Sequence, residues 1–157
     1  MTSVRFKAMA TNTVAAYQAG ALDANGQQPE RHVSNGDGVP CRHCLSDVAE
    51  GDPYLILAHR PFPQTHPYAE VGPIFLHADG CNRYTEESNL PDMFLERDRF
   101  LIRGYGKDDR IVYGTGRTVA TDDMEMAAAA LFGQPDIAYI HVRSGSYNCY
   151  QCRIERH

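Results

Sequence analysis

The chain has 157 residues, of which 43% are hydrophobic, and a formal net charge of −5. That suits one compact domain with enough apolar material for its own core. The negative charge excludes the basic surface needed for general adhesion to nucleic acid or acidic membrane, and no apolar run approaches the roughly 18 residues of a membrane span.

In chain order, the segment ending at Phe6–Ala8 reads as a short strand. Asn12 is a candidate N-cap for a helix over Thr13–Ala19, and Gly20 stops it. Asn12, Thr13 and Gln18 break up the apolar content of this stretch, so it is not read as a signal peptide. The expected compartment is then the cytoplasm, where thiols stay reduced. Residues 23–38 are rich in Asn, Gly, Gln and Asp and read as loop, with a short strand at Arg31–Val33. Tyr54–Ala58 and Ile74–His77 read as strands flanking a proline-rich loop, Pro61 to Pro67. Helical turns are expected over Leu90–Glu96. The best hairpin signal pairs Phe100–Tyr105 with Arg110–Tyr113 across Gly106-Lys107-Asp108-Asp109. Thr121 is a candidate N-cap for a helix reaching about Phe132, with Asp122, Asp123 and Glu125 favouring its dipole. The final strands, Ile137–Val142 and Tyr147–Glu155, are close enough to pair. About six short strands with two or three helices predict a single α+β domain, 1–157, with a mostly antiparallel sheet. Its N-terminal part, 1–33, is the least patterned.

Five blocks carry a family resemblance. They are Pro40-Cys41-Arg42-x-Cys44-Leu45, Pro67-Tyr68-x-Glu70-x-Gly72-Pro73-Ile74-Phe75-x-His77, Ile102-Arg103-Gly104-Tyr105, Ala138-Tyr139-Ile140-His141-Val142-Arg143 and Asn148-Cys149-Tyr150-x-Cys152-Arg153-Ile154-Glu155-Arg156. Over residues 34–156 the chain resembles the DUF1203 family, a domain of unknown function. The resemblance implies one domain and transfers no activity. It also implies that Cys41 and Cys149 follow the family pattern while Cys44 and Cys152 depart from it.

The chemical signal is the pair of motifs Cys41-x-x-Cys44 and Cys149-x-x-Cys152, joined by His77 and Cys81. Soft thiolates are what a tetrahedral zinc site needs. On a regular strand, however, positions 149 and 152 face opposite ways, and Tyr150, Cys152 and Ile154 share the core side. Only a bulge rejoins the two sulfurs. The expected metal set is therefore Cys41, Cys44 and Cys149, completed by Cys81, His77 or Cys152. The competing reading is of small, buried apolar thiols.

A second cluster follows from strand alternation. If the faces carrying Arg103 and Tyr105 and carrying Tyr139, His141 and Arg143 coincide, then Arg103, Tyr105, His141 and Arg143 form a candidate surface for an anionic ligand. The alternative is a covered face whose arginines pair with acids. Glu70 and His77 are candidate base and acid if they meet in a cleft. Gly104-x-Gly106 and Gly114-x-Gly116 lack the following helix of a phosphate loop and read as turns.

Three functions remain open on the sequence. The leading one is a small cytoplasmic binding or structural domain, with zinc as its cofactor and neither nucleic acid nor membrane as partner. The second is an enzyme with Cys41 or Cys149 as thiol nucleophile, assisted by His77, His141 or His43. The third is a redox sensor forming Cys41–Cys44 or Cys149–Cys152 disulfides.

Overall fold

The computed structural model of the protein describes residues 3–157; residues 1 and 2 of the N-terminal stretch lie outside that range. Its strands are β1 (Val4–Lys7), β2 (Glu30–Val33), β3 (Pro53–His59), β4 (Gly72–His77), β5 (Arg99–Tyr105), β6 (Arg117–Ala120), β7 (Tyr139–Ser144) and β8 (Tyr150–Arg156). The two α-helices are α1 (Thr11–Gln18) and α2 (Met124–Leu131). All strand pairings are antiparallel, in a five-stranded sheet β1-β8-β7-β5-β6 and a three-stranded sheet β2-β3-β4. The molecule is α+β, a single compact domain.

Alternation along the strands decides which side of the large sheet is apolar. Phe6, Phe100, Ile102, Ile140, Val142, Cys152 and Ile154 share one core with Met124, Ala128 and Leu131 of α2 and with Met93 and Phe94. The small sheet buries Leu55, Leu57, Ile74 and Leu76 against Met9, Val14, Val39, Cys41 and Val48. Arg42 joins the two layers. Its side chain is fully buried, and it donates from Nε to the Tyr150 carbonyl of β8 (2.8 Å) and from Nη1 to the Pro40 carbonyl (2.6 Å).

The element boundaries depart from the sequence expectations for identifiable reasons. Helix α1 begins two residues earlier than expected, after Ala10, and the Asn12 side chain accepts from the next amide, Thr13, instead of capping the helix. Gly20, at φ +99°, ends it. Thr121 does not cap α2 either, because its hydroxyl donates to the Arg97 carbonyl and a 3-10 turn, Thr121–Asp123, precedes the helix. The expected turn forms at Gly106–Asp109, closed by a bond from the Gly106 amide to the Arg110 carbonyl (2.9 Å). Beyond it only a single bridge, Tyr105 to Ile111, continues the pairing. The true partner of β5 on that side is β6, further along the chain.

One irregularity matters for the site. Between Val142 and Arg143 the register of β7 on β8 slips: Val142 faces Cys152, but Arg143 faces Tyr150. Gln151 is the extra residue of this bulge. The expectation that Tyr150 shares a face with Cys152 is thereby corrected. Tyr150 turns to the opposite side, where its ring lies 4.9 Å from that of His141.

Candidate metal centre

The segment Cys41–Ser46 is a tight turn. The Cys41 amide donates to the Ser46 carbonyl (3.0 Å), and the Leu45 amide donates back to the Cys41 carbonyl (3.0 Å). Leu45 holds the left-handed conformation at φ +54°, which costs a branched residue of order 1 kcal/mol. Its side chain is completely buried in the core of the large sheet, while Cys41 belongs to the core of the small one. Packing thus holds the turn in a shape that sends both sulfurs the same way. The turn lies along β4, with the Arg42 amide bonded to the Phe75 carbonyl (3.1 Å). That contact delivers His77, the last residue of β4, and Cys81, which follows at once.

Cys41, Cys44, His77 and Cys81 offer three sulfurs and one ring nitrogen, all within 4.8 Å of one another. Cys41 Sγ and Cys81 Sγ are 3.9 Å apart, and Cys44 Sγ and His77 Nδ1 are 3.5 Å apart. With zinc bonds of about 2.3 Å to sulfur and about 2.05 Å to nitrogen, a regular tetrahedron has S–S edges of about 3.8 Å and S–N edges of about 3.6 Å. Two of the six edges of the donor set therefore have the length found in such a coordination shell, and all six are within 4.8 Å. Supporting contacts fix each part. The His77 amide donates to Cys41 Sγ (3.3 Å), and Gln18 of α1 holds the carbonyls of His77 and Asp79 (2.9 Å each). His43 Nδ1 lies 3.1 Å from Cys81 Sγ.

The electrostatics of the cluster favour a cation. Hydrogen bonds from Cys44, then Cys81 and His77, lower the pKa of the Cys41 thiol. The same shared bonds push Cys44 up to about 11 and Cys81 further up. The shared bonds thus favour the anionic form at Cys41 and the protonated form at Cys44 and Cys81. A divalent ion deprotonates all of them.

The other predicted ligands lie elsewhere. Cys152 is 1% exposed within the core of the large sheet, opposite Val142, and burial pushes its thiol up. Cys149 sits in the β7–β8 turn, half-buried, its sulfur 3.8 Å from the Tyr147 carbonyl. The bulge falls at Gln151 but leaves these two sulfurs on different sides, and neither joins the four donors that meet. The donors that converge beside Cys41 and Cys44 are His77 and Cys81. Spacing signalled both residues as candidates. It gave no hint that they converge on the first motif in place of Cys149.

The polar strand faces do coincide. Arg103 is opposite His141, Tyr105 opposite Tyr139, and Leu101 opposite Arg143. This face is covered, not open. The proline-rich loop folds Phe62 onto it, so that His141 is enclosed by the rings of Tyr105, Tyr150, Tyr139 and Phe62 at 4.7, 4.9, 5.1 and 5.2 Å. Burial first, then the charges of Arg143, Arg153 and Arg103, hold His141 well below the ordinary histidine range. Arg103 Nε donates to the Tyr105 hydroxyl (2.8 Å), and its Nη2 pairs with Glu70. Glu70 is thus engaged with arginine, whereas His77 is engaged with Cys44.

No helix among the described residues is long and apolar enough to cross a membrane. No curated protein and no solved structure matches the chain. A family model does match, that of a protein of unknown function, DUF1203, over residues 38–156. Elements β1, α1 and β2 precede the matched region, yet β1 pairs with β8 and α1 supplies Gln18 to the carbonyl of His77. Over most of its length, then, the chain belongs to the DUF1203 family.

Proposed function

We propose that this protein is a small cytoplasmic binding domain whose Cys41–Ser46 turn is pinned to the end of β4 by a structural zinc ion held by Cys41, Cys44, His77 and Cys81. The observation that carries this reading is the match of the 3.9 Å and 3.5 Å separations to the edges of a zinc tetrahedron. Three sulfurs and one imidazole favour zinc over the hard, oxygen-seeking ions. Four protein donors leave no open position for water or substrate, as in structural and not catalytic zinc sites. A reducing compartment keeps the three thiols available.

The test is the metal content of protein purified without a histidine tag. One zinc per chain is expected, falling sharply in Cys81→Ser. Less than a tenth of an equivalent, in protein whose thiols are fully reduced, would remove the proposal.

A further inference from the structure

At the open end of the covered polar face, β3, β4 and the β7–β8 turn enclose a cleft of about 120 Å³. His59, Glu70, Arg143, Cys149 and Tyr150 are among its walls. Of the four residues expected to form a ligand surface, Arg143 is the one that reaches this cleft. Its side chain is 7% exposed. Nη1 donates to the Asn148 carbonyl (3.1 Å) and lies 3.8 Å from Glu70 Oε2, while Nε is buried without a partner. His59 Nδ1 is likewise buried and unpartnered. Behind them, Arg42 is buried with backbone carbonyls as acceptors. Glu70 is the carboxylate that reaches this group, and it is shared between Arg103 and Arg143. A chain of net charge −5 has concentrated positive charge in one small recess.

Buried arginine without a full set of acceptors is expensive unless something completes it. We infer that this cleft is a binding site for a small oxyanion, a carboxylate or phosphate group, received by the free edge of Arg143 with His59 and the Tyr150 side at its back. A guanidinium with Nη1 already tied to Asn148 has its Nε side unpaired but covered, and a small shift of the Arg143 side chain brings that edge, the one that receives such groups in a paired geometry, to the cleft. The volume admits an acetate- or phosphate-sized head. Glu70, 45% exposed at the rim, is the internal competitor that the ligand displaces from Arg143. The site is separate from the proposed zinc centre and stands or falls without it.

The experiment is calorimetric titration of the intact chain with acetate and, separately, with inorganic phosphate, at ionic strength fixed with chloride. Saturable one-to-one binding of either anion is expected, and the preferred one tells the planar head from the tetrahedral one. Arg143→Gln should weaken it at least about tenfold, the loss expected for a charge-assisted pair. Glu70→Gln should bind more tightly. Absence of saturable binding to both anions would overturn the site, as would unchanged affinity in folded Arg143→Gln, or unchanged or weaker binding in Glu70→Gln. Should Arg143→Gln fail to fold, the wild-type chain decides: bound anion must slow iodoacetamide labelling of Cys149 severalfold relative to chloride, and unslowed labelling overturns the proposal.

Discussion

His43 stands between Thr11 and Cys81, with Nε2 2.9 Å from the Thr11 hydroxyl and Nδ1 3.1 Å from the Cys81 sulfur. The ring is 2% exposed, and burial lowers its affinity for a proton, which favours the neutral form. A neutral imidazole that donates from Nδ1 to a metal-bound thiolate must accept at Nε2, and the threonine hydroxyl is the donor that fits. Such outer contacts orient ligands and tune metal affinity by about 10- to 100-fold. His43→Phe should therefore lower zinc affinity by about tenfold or more in a competition assay with a chromogenic chelator. Thr11→Val should act in the same direction and more weakly. Equal affinity in wild type and His43→Phe would reduce His43 to a packing residue.

Metal removal should unlock one region, not unfold the whole chain. The core around α2 does not depend on the four donors, whereas the Cys41–Ser46 turn and the end of β4 do. Treatment with a strong chelator under reducing conditions should lower Tm by about 10 °C, the shift expected for a few kcal/mol in a domain of this size. Cys44→Ala should already have the lower Tm and respond little to chelator. Hydrogen exchange should speed up around residues 41–46 and 75–81 while β5 and β7 stay protected. Uniform loss of protection would mean that the metal holds the entire fold.

Local patterning revealed the fold better than the site. Alternation at Phe100–Tyr105 and Ala138–Arg143 predicted both faces of those strands, while their coincidence, with Arg103 opposite His141, is supplied by the register and not by the alternation. The division into two sheets is set by which strands meet at long range, and no short motif encodes that. The same limit explains Cys149. Its spacing from Cys152 mimics Cys41-x-x-Cys44, but the first pair sits on a turn held by Leu45 and the second runs from a hairpin turn into a bulged strand. Spacing alone does not separate a knuckle from a strand end. The folding of Phe62 over His141 was equally hidden, because a proline-rich loop announces an extended path and not its destination.

Cys152 gives a direct test of the ligand set. It is buried beside Val142, far into the apolar side of the large sheet. Cys152→Ala should leave zinc stoichiometry unchanged and lower stability by about 1–2 kcal/mol, the effect of removing one small buried group. Cys152→Ser should destabilise more, since the hydroxyl has no acceptor supplied there. In the native wild type this thiol should resist alkylation until the protein unfolds. A zinc deficit in well-folded Cys152→Ala would put Cys152 back among the ligands.

Stability should fall in mild acid through His59. Burial, then the positive charges of Arg42 and Arg60, lower its pKa in the folded state to about 4, and His141 also lies nearby and is shifted the same way. An unfolded histidine titrates near about 6.5. Between these values the unfolded chain binds a proton that the folded chain refuses, so the slope of stability against pH is positive there. The stabilisation is complete above about pH 6.5 and is lost progressively as pH falls toward 4, with an upper bound of about 3 kcal/mol from this one residue. Urea denaturation of wild type and His59→Gln from pH 7.5 to 4.5 checks it. Acid also releases zinc from thiolates, in both proteins alike, so the informative quantity is their difference at each pH. Wild type should lose stability relative to His59→Gln across that window. Parallel curves would show that His59 takes up its proton in the folded protein at no cost, and that the recess around Arg143 is far better solvated than its burial indicates.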